Sequence, residues 1–271
     1  MLYWFFLAAT SRLMPPTVET QRDRRAWKVE SFRLTAFTNV SAAADADRWW
    51  TEVAGAPAET KTQNMQGAVV GMEGHLGTGR LVLNIDLSRV DWINIVEVSP
   101  DHEFAELPNM GFFADLNGQF KEVMHRWLVL NPKLPIARLA WGAVLVLPVQ
   151  SRVAGYDTLQ AFLPSLTIDS AGSSDLLYQI NRSRISRVIP GLSINRLQKW
   201  SLAKLQHLDM AVAGGGSIQA NIGMGAEGCR LELDINSSPE YSGFIPAEFY
   251  GLLLEEFVLL GTEISERGDV P

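Results

Sequence analysis

From residue 29 onward the chain is a succession of short alternating runs and longer runs of helical period. Over 29–40, Phe32, Leu34, Ala36 and Thr38 fall on one side by alternation, which predicts a strand with one buried face. Ser41 stands at a cap position before a helix-forming run, 42–53, with Trp49 and Trp50 near its end and Gly55-Ala-Pro57 to stop it. Runs 62–72 and 80–88 read as strands joined by a glycine-rich hairpin loop at 74–79, and a further strand is expected over 92–98. Residues 112–130 form the first long amphipathic helix, because Phe113, Leu116, Phe120, Val123, Met124 and Trp127 recur at its spacing.

A linker, Asn131-Pro-Lys-Leu-Pro135, opens a second series of the same kind. Run 137–149 is nearly continuous in its apolar character, as expected of a strand buried on both faces. A short helix over 156–163 ends at Pro164, and runs 176–188 and 192–202 form a hairpin turning at Pro190-Gly191. Residues 214–228 read as a glycine-rich connector, 230–238 as a strand, and 247–264 as the second long helix, apolar at Phe249, Leu253, Leu254, Phe257, Val258 and Leu260.

Both series run strand, short helix, antiparallel strands, long helix, so the expected fold is α+β. It divides into an N-terminal apolar and basic segment (1–28), a first half (29–131), a second half (136–264) and a tail (265–271). Arg80-Leu-Val-Leu-Asn-Ile-Asp-Leu-Ser88 matches Arg230-Leu-Glu-Leu-Asp-Ile-Asn-Ser-Ser238 at five of nine positions. That self-similarity points to an internal duplication, on the plan of the TATA-binding-protein saddle or a ferredoxin-like repeat. The analogy is one of element order and carries no function.

Composition sets further bounds. Of 271 residues, 47% are hydrophobic and 20% charged, the balance of a globular chain with a sizeable core. The net charge of −7 repels polyanions overall, so a nucleic-acid contact would need a local basic patch. One cysteine, Cys229, leaves no internal disulfide, and with only four histidines the metal inventory is poor. A reducing cytoplasm is the simplest setting. The apolar run Met1–Ala9 is shorter than the roughly 20 residues of a membrane-spanning helix. Its basic residues, Arg12, Arg22, Arg24 and Arg25, follow it rather than precede it. No membrane contact is expected, and the run is read as packing against the body or a partner.

Four stretches carry a resemblance. They are the helix ending in Trp127 and leading to Ile136-Ala-Arg-Leu-Ala140, then Tyr156-Asp-Thr-Leu-Gln-Ala-Phe-Leu-Pro164, Gly191-Leu-Ser-Ile-Asn-Arg-Leu197, and Leu231-Glu-Leu-Asp-Ile235 before a final helix. Together they resemble an uncharacterised, sporadically distributed prokaryotic family of about this length, mainly over residues 112–264. Such a distribution implies a mobile or phage-defence setting. The final helix of that family carries a histidine and asparagines where this chain reads Glu255-Glu-Phe-Val-Leu-Leu260. No active role is therefore carried over at those positions.

The densest candidate site is basic. Residues 176–208 contain no acid but hold Arg182, Arg184, Arg187, Arg196, Lys199 and Lys204. Arg182 and Arg184 would share a strand face with Arg187 opposed. Their guanidinium forks suit phosphates or a partner's carboxylates, and Tyr178 and Trp200 could stack bases. The alternative is a solvated face whose arginines pair with this chain's own acids. The connector 214–228 lacks the Lys-Ser/Thr ending of a phosphate loop. His75, His102, His125 and His207 lack metal-ligand spacing, and Cys229 has no adjacent base and is expected in the core. Asp86 and Asp234 sit in the repeated motif, where a divalent ion or a turn cap would use them.

These readings name no catalytic residue, metal or cofactor. The expected function is that of a non-catalytic interaction or assembly protein with a protein partner, a second copy included. The alternative is an RNA- or DNA-binding protein, of the kind that processes CRISPR repeat RNA, acting through the basic hairpin at 178–204. A third reading is a small-molecule hydrolase or sensor with its ligand between the halves.

Overall fold

The computed structural model describes residues 26–64, 69–98, 106–213 and 217–269. In chain order the elements are β1 (Lys28–Thr38), α1 (Ala46–Ala54), β2 (Thr60–Gln63), β3 (Val70–Leu76), β4 (Gly79–Ile85), β5 (Arg89–Val96) and α2 (Phe113–Leu130). There follow β6 (Ile136–Val149), α3 (Arg152–Phe162), β7 (Leu177–Asn181), β8 (Arg184–Ile185), β9 (Ser193–Ala213), β10 (Ser217–Ser237) and α4 (Tyr250–Arg267). The ten strands form one antiparallel sheet in the order β2-β3-β4-β5-β1-β6-β10-β9-β7, with β8 also beside β9. The fold is α+β.

The centre of the sheet is the pairing of β1 with β6, which joins the two series of elements. One row of directly paired residues crosses from there to both sides: Met72, Leu83, Trp92, Leu34, Trp141, Ile235 and Arg196. Every member is at most 3% exposed. All four helices pack on this inner face. Trp50 of α1 stacks on Trp92, Phe120 of α2 on Phe32, and Phe162 of α3 on Trp200, while Cys229 donates to the carbonyl of Gly155 in α3. At Gly261 of α4 the helix backbone lies against Trp141 so closely that a Cβ would overlap the ring.

One residue along each strand, the adjacent row reads Gly71, Asn84, Asp91, Thr35, Ala140, Asn236 and Asn195. It faces away from the helices, because strand side chains alternate between faces. No described helix covers this side.

Several elements differ from the sequence reading. The run 62–72 is not one strand: β2 and β3 are separate hairpin partners, and residues 65–68 lie outside the described residues. The expected loop 74–79 is almost all strand, closed by the turn Gly77-Thr78, where Gly77 takes the positive φ (61°) that a tight hairpin turn needs. The short helix begins four residues earlier than expected, because Ser151 caps it by accepting from the Ala154 N–H. Helix α4 runs on to Arg267, so most of the expected tail is helical.

The largest correction is the connector 214–228. Residues 217–228 are strand, paired with β9 from Ser217–Ala213 onward through a register shift between Met224 and Glu227. Pairing with β6 stops at Glu227–Val149 and with β7 at Leu177–Ser201, so the far part of β9 and β10 continues as a two-stranded ribbon. The backbone hydrogen bonds of this glycine-containing stretch go to β9, which the sequence reading did not foresee. Residues 1–25 with their apolar run, His102 with its flanking acids, and 214–216 lie outside the described residues. No described helix is long and apolar enough to cross a membrane.

The close approach at Gly261 makes a direct test. Alanine should gain about 1 kcal/mol over glycine in an exposed helix, but here overpacking against Trp141 should cost about 1–3 kcal/mol. Gly261→Ala is therefore expected to lower the urea midpoint without changing the slope of the transition.

Candidate functional site

The basic residues singled out in the sequence do not share one surface. On β9 the alternation sends Ile194, Arg196, Gln198 and Trp200 to the inner face, and all four are 0% exposed. Lys199 points to the opposite face and pairs with Glu232 at 3.0 Å. Trp200 is enclosed by Phe162 and Trp27, so the exposed base-stacking platform expected of it is not there. Arg187 is exposed in the turn after β8, and its side chain makes no ion pair among the described residues.

What the structure does bring together is the underside of the β7–β8–β9 edge and one acidic line along α4 and just past its end. Glu256, Glu263 and Asp269, six or seven residues apart, each meet that edge. Glu256 accepts from the Ser186 hydroxyl (2.6 Å) and from the Arg187 backbone N–H (2.8 Å). Glu263 pairs with Arg184 at 2.9 Å and lies 3.7 Å from Arg196. Asp269 is the most enclosed, its side chain 0% exposed. Arg182 grips it with two donors, Nε at 2.5 Å and Nη2 at 2.7 Å, while the Tyr178 hydroxyl (2.7 Å) and Gln198 Nε2 (2.9 Å) complete its shell.

The electrostatics follow from this geometry. Hydrogen bonding from Arg182 holds the Asp269 carboxyl below its ordinary value of 3.8, against the opposing effect of burial. The Tyr178 hydroxyl is pushed up, first by burial and then by donating to that carboxylate. Arg196 is pushed down, first by burial and next by the nearby Arg184. None of the three Arg196 guanidinium nitrogens has a hydrogen-bond partner of accepted geometry among the described residues. Burial also drives the Cys229 thiol up to about 12, which keeps it protonated and unreactive.

The second arrangement is the open side of the sheet. A shallow groove of about 490 Å³ runs over its centre, lined by Arg33, Gly142, Val144, Gln179, Lys199 and Asp234 among others. Both charge signs occur there and are paired. Arg33 meets Asp234 at 3.3 Å, and Arg230 bridges Glu30 at 3.1 Å while also touching Glu232. A side-chain ladder of amides crosses the strands, Asn181 donating to Asn195 and Asn195 to Asn236, which Arg138 also reaches. At Gly142 a Cβ would stand 2.8 Å from the Leu233 carbonyl, so the floor of the groove is bare backbone.

Neither arrangement holds an activated nucleophile beside a base. Among the described residues no group of three His, Cys, Asp or Glu is placed to hold a metal ion. Asp86 closes the turn after β4 by accepting from the Ser88 N–H, and Asp234 pairs with Arg33, so these two acids serve local roles in different places. His75 stands on the surface between Glu59 and Glu97. His125 abuts Gly251 where α2 crosses α4. No protein-family model matches the chain, and no curated protein matches it either.

None of these acids was singled out in the sequence, because the final helix was read from its apolar positions and Asp269 fell in the expected tail. The alternation Ile194, Arg196, Gln198, Trp200 already placed Arg196 inward, and Glu256 and Glu263 fall seven apart among apolar neighbours. Asp269→Asn tests the cluster. Loss of this charge-assisted shell is expected to cost about 1–3 kcal/mol near neutral pH. A depressed folded-state pKa contributes stability that is present above the ordinary value and lost as pH falls through the folded one. Wild-type stability should therefore fall more steeply than that of Asp269→Asn below about pH 4, as read by urea midpoints across that range.

Proposed function

We propose that this chain is a non-catalytic interaction or assembly protein that presents the open face of its sheet to a protein partner. The observation that carries this reading is the one-sided packing: four helices cover one face of a ten-stranded sheet, and none of the described elements covers the other. A solvated antiparallel face is stable by itself, yet this one holds a groove with a flat backbone floor and paired charges of both signs. Such a surface favours a partner of mixed polarity over a polyanion. Arg182, Arg184 and Arg196 meet acids of α4 and of the residues just past it, and the net charge is −7, which argues against the nucleic-acid reading. The prokaryotic and phage-defence setting implied by the family resemblance, and a cytoplasmic location consistent with the lone buried thiol, belong to the same proposal.

The strand order also supports reading the fold as a duplication on a saddle plan. Outward from the centre, β1, β5 and β4 would correspond to β6, β10 and β9. On that correspondence the matching stretches 80–88 and 230–238 occupy non-equivalent places, in β4 and β10, and their likeness reflects the composition of strands.

The test is co-purification of the tagged protein from its native host, beside a double variant, Arg33→Glu with Lys199→Glu, that reverses charge on the open face. A partner held by wild type and lost from the folded variant is expected. Retention of the partner by that variant would place the interface elsewhere. Salt-sensitive binding of single-stranded RNA that disappears in Arg187→Ala would instead favour the nucleic-acid reading.

A further inference from the structure

We infer that the socket formed by Arg182, Tyr178 and Gln198 beneath the β7–β9 edge is a carboxylate receptor, occupied in cis by Asp269 and able to accept an acidic side chain of a partner protein when Asp269 withdraws. The inference is independent of the open-face reading.

Three observations carry it. First, the socket is shaped for a planar oxyanion. Arg182 presents Nε and Nη2 to the two oxygens of Asp269, and Tyr178 and Gln198 add one donor to each. Second, the surroundings hold surplus positive charge once Asp269 is taken away. Arg182 would then lose its carboxylate while Arg184 and Arg196 share Glu263, and Glu256 is engaged by Ser186 and the Arg187 backbone. Arg196 is fully buried with no hydrogen-bond partner among the described residues, so an emptied socket would be strongly attractive to an anion.

Third, the occupant is placed by a backbone conformation that depends on one glycine. Asp269 follows Gly268, whose φ of 78° and ψ of −153° are open to glycine and strained for other residues. A Cβ at Gly268 would collide with the Phe162 carbonyl, the same oxygen that accepts from the Asp269 N–H at 2.9 Å. The carboxylate is thus tethered through one short hinge beyond the end of α4. A partner supplying a carboxylate competes with a single side chain, and it reaches the socket from the Arg182 side, which is 28% exposed while Asp269 itself is enclosed.

The experiment uses the full chain as wild type, Asp269→Ala and Gly268→Ala. Thermal midpoints are measured in acetate, chloride and phosphate at equal ionic strength, and binding of a labelled hexaglutamate peptide is measured against hexaglutamine. Asp269→Ala is expected to melt below wild type and to regain several degrees in acetate over chloride, while wild type does not respond. Gly268→Ala, which expels Asp269 and leaves the socket whole, is expected to bind hexaglutamate about tenfold tighter than wild type. Adding Arg182→Gln should remove that gain. An Asp269→Ala protein indifferent to acetate, or one that responds to phosphate and not acetate, overturns the assignment. So does peptide binding in Gly268→Ala that Arg182→Gln leaves intact. If Asp269→Ala fails to fold, the Gly268→Ala peptide comparison decides the matter alone.

Discussion

The pairing of β1 with β6 is the constraint on which the rest of the molecule depends. It runs from Lys28–Val146 to Thr38–Ile136 and is the seam through which two series of elements become one sheet. Its inner residues, Leu34 and Trp141, sit at the middle of the buried row, so the helices of both series share a floor that neither series could supply alone. Near one end the register shifts between Val29 and Ser31. The extra residue, Glu30, is released from the ladder and reaches across β6 to Arg230 on β10. Backbone pairing and an ion pair therefore tie the same three strands together.

One-sided packing follows from this seam. With every helix on the inner face, the large aromatic residues concentrate there, and Trp27, Trp49, Trp50, Trp92, Trp127, Trp141 and Trp200 are all at most 1% exposed. The outer face keeps short amides, paired charges and bare backbone. Polarity then appears in two very different settings. On the outer face most charges are partly exposed, with Asp91 the buried exception, and the exposed pairs contribute little to stability. Under the β7–β9 edge, where the apolar row ends in Arg196, guanidinium groups are enclosed and must be matched by Glu263 and Asp269. Removing one partner there leaves a charge stranded, which is why a short stretch beyond α4 has influence on a whole sheet edge.

Much of this was legible along the chain, for definite reasons. The strand over 29–40, the helix over 112–130 and the strand over 137–149 lie within two residues of β1, α2 and β6, because long, strongly periodic runs leave few alternatives. The ribbon was not legible. Glycines at 223, 225 and 228 suggested a connector, whereas the long strand β9, the element that precedes it in the chain, satisfies that backbone. In the basic hairpin, faces were assigned only on the first strand, where Arg187 was set opposite Arg182 and Arg184. Sequence proximity grouped Lys199 with Arg196 and Trp200, whereas the two-residue period of β9 puts them on opposite sides. The acids that answer those arginines come from 67 or more positions away, in α4 and just beyond it, and no local pattern announces such a meeting.

The most direct measurement of this account is native-state hydrogen exchange across the central seam. If β1 and β6 weld the two series into one cooperative unit, the amides of residues 31–37 and 139–145 should exchange only through global unfolding, with a shared free energy and a shared denaturant dependence. If residues 29–131 and 136–264 instead open in separate transitions with different free energies, the seam does not hold the fold together and the account is wrong at its centre.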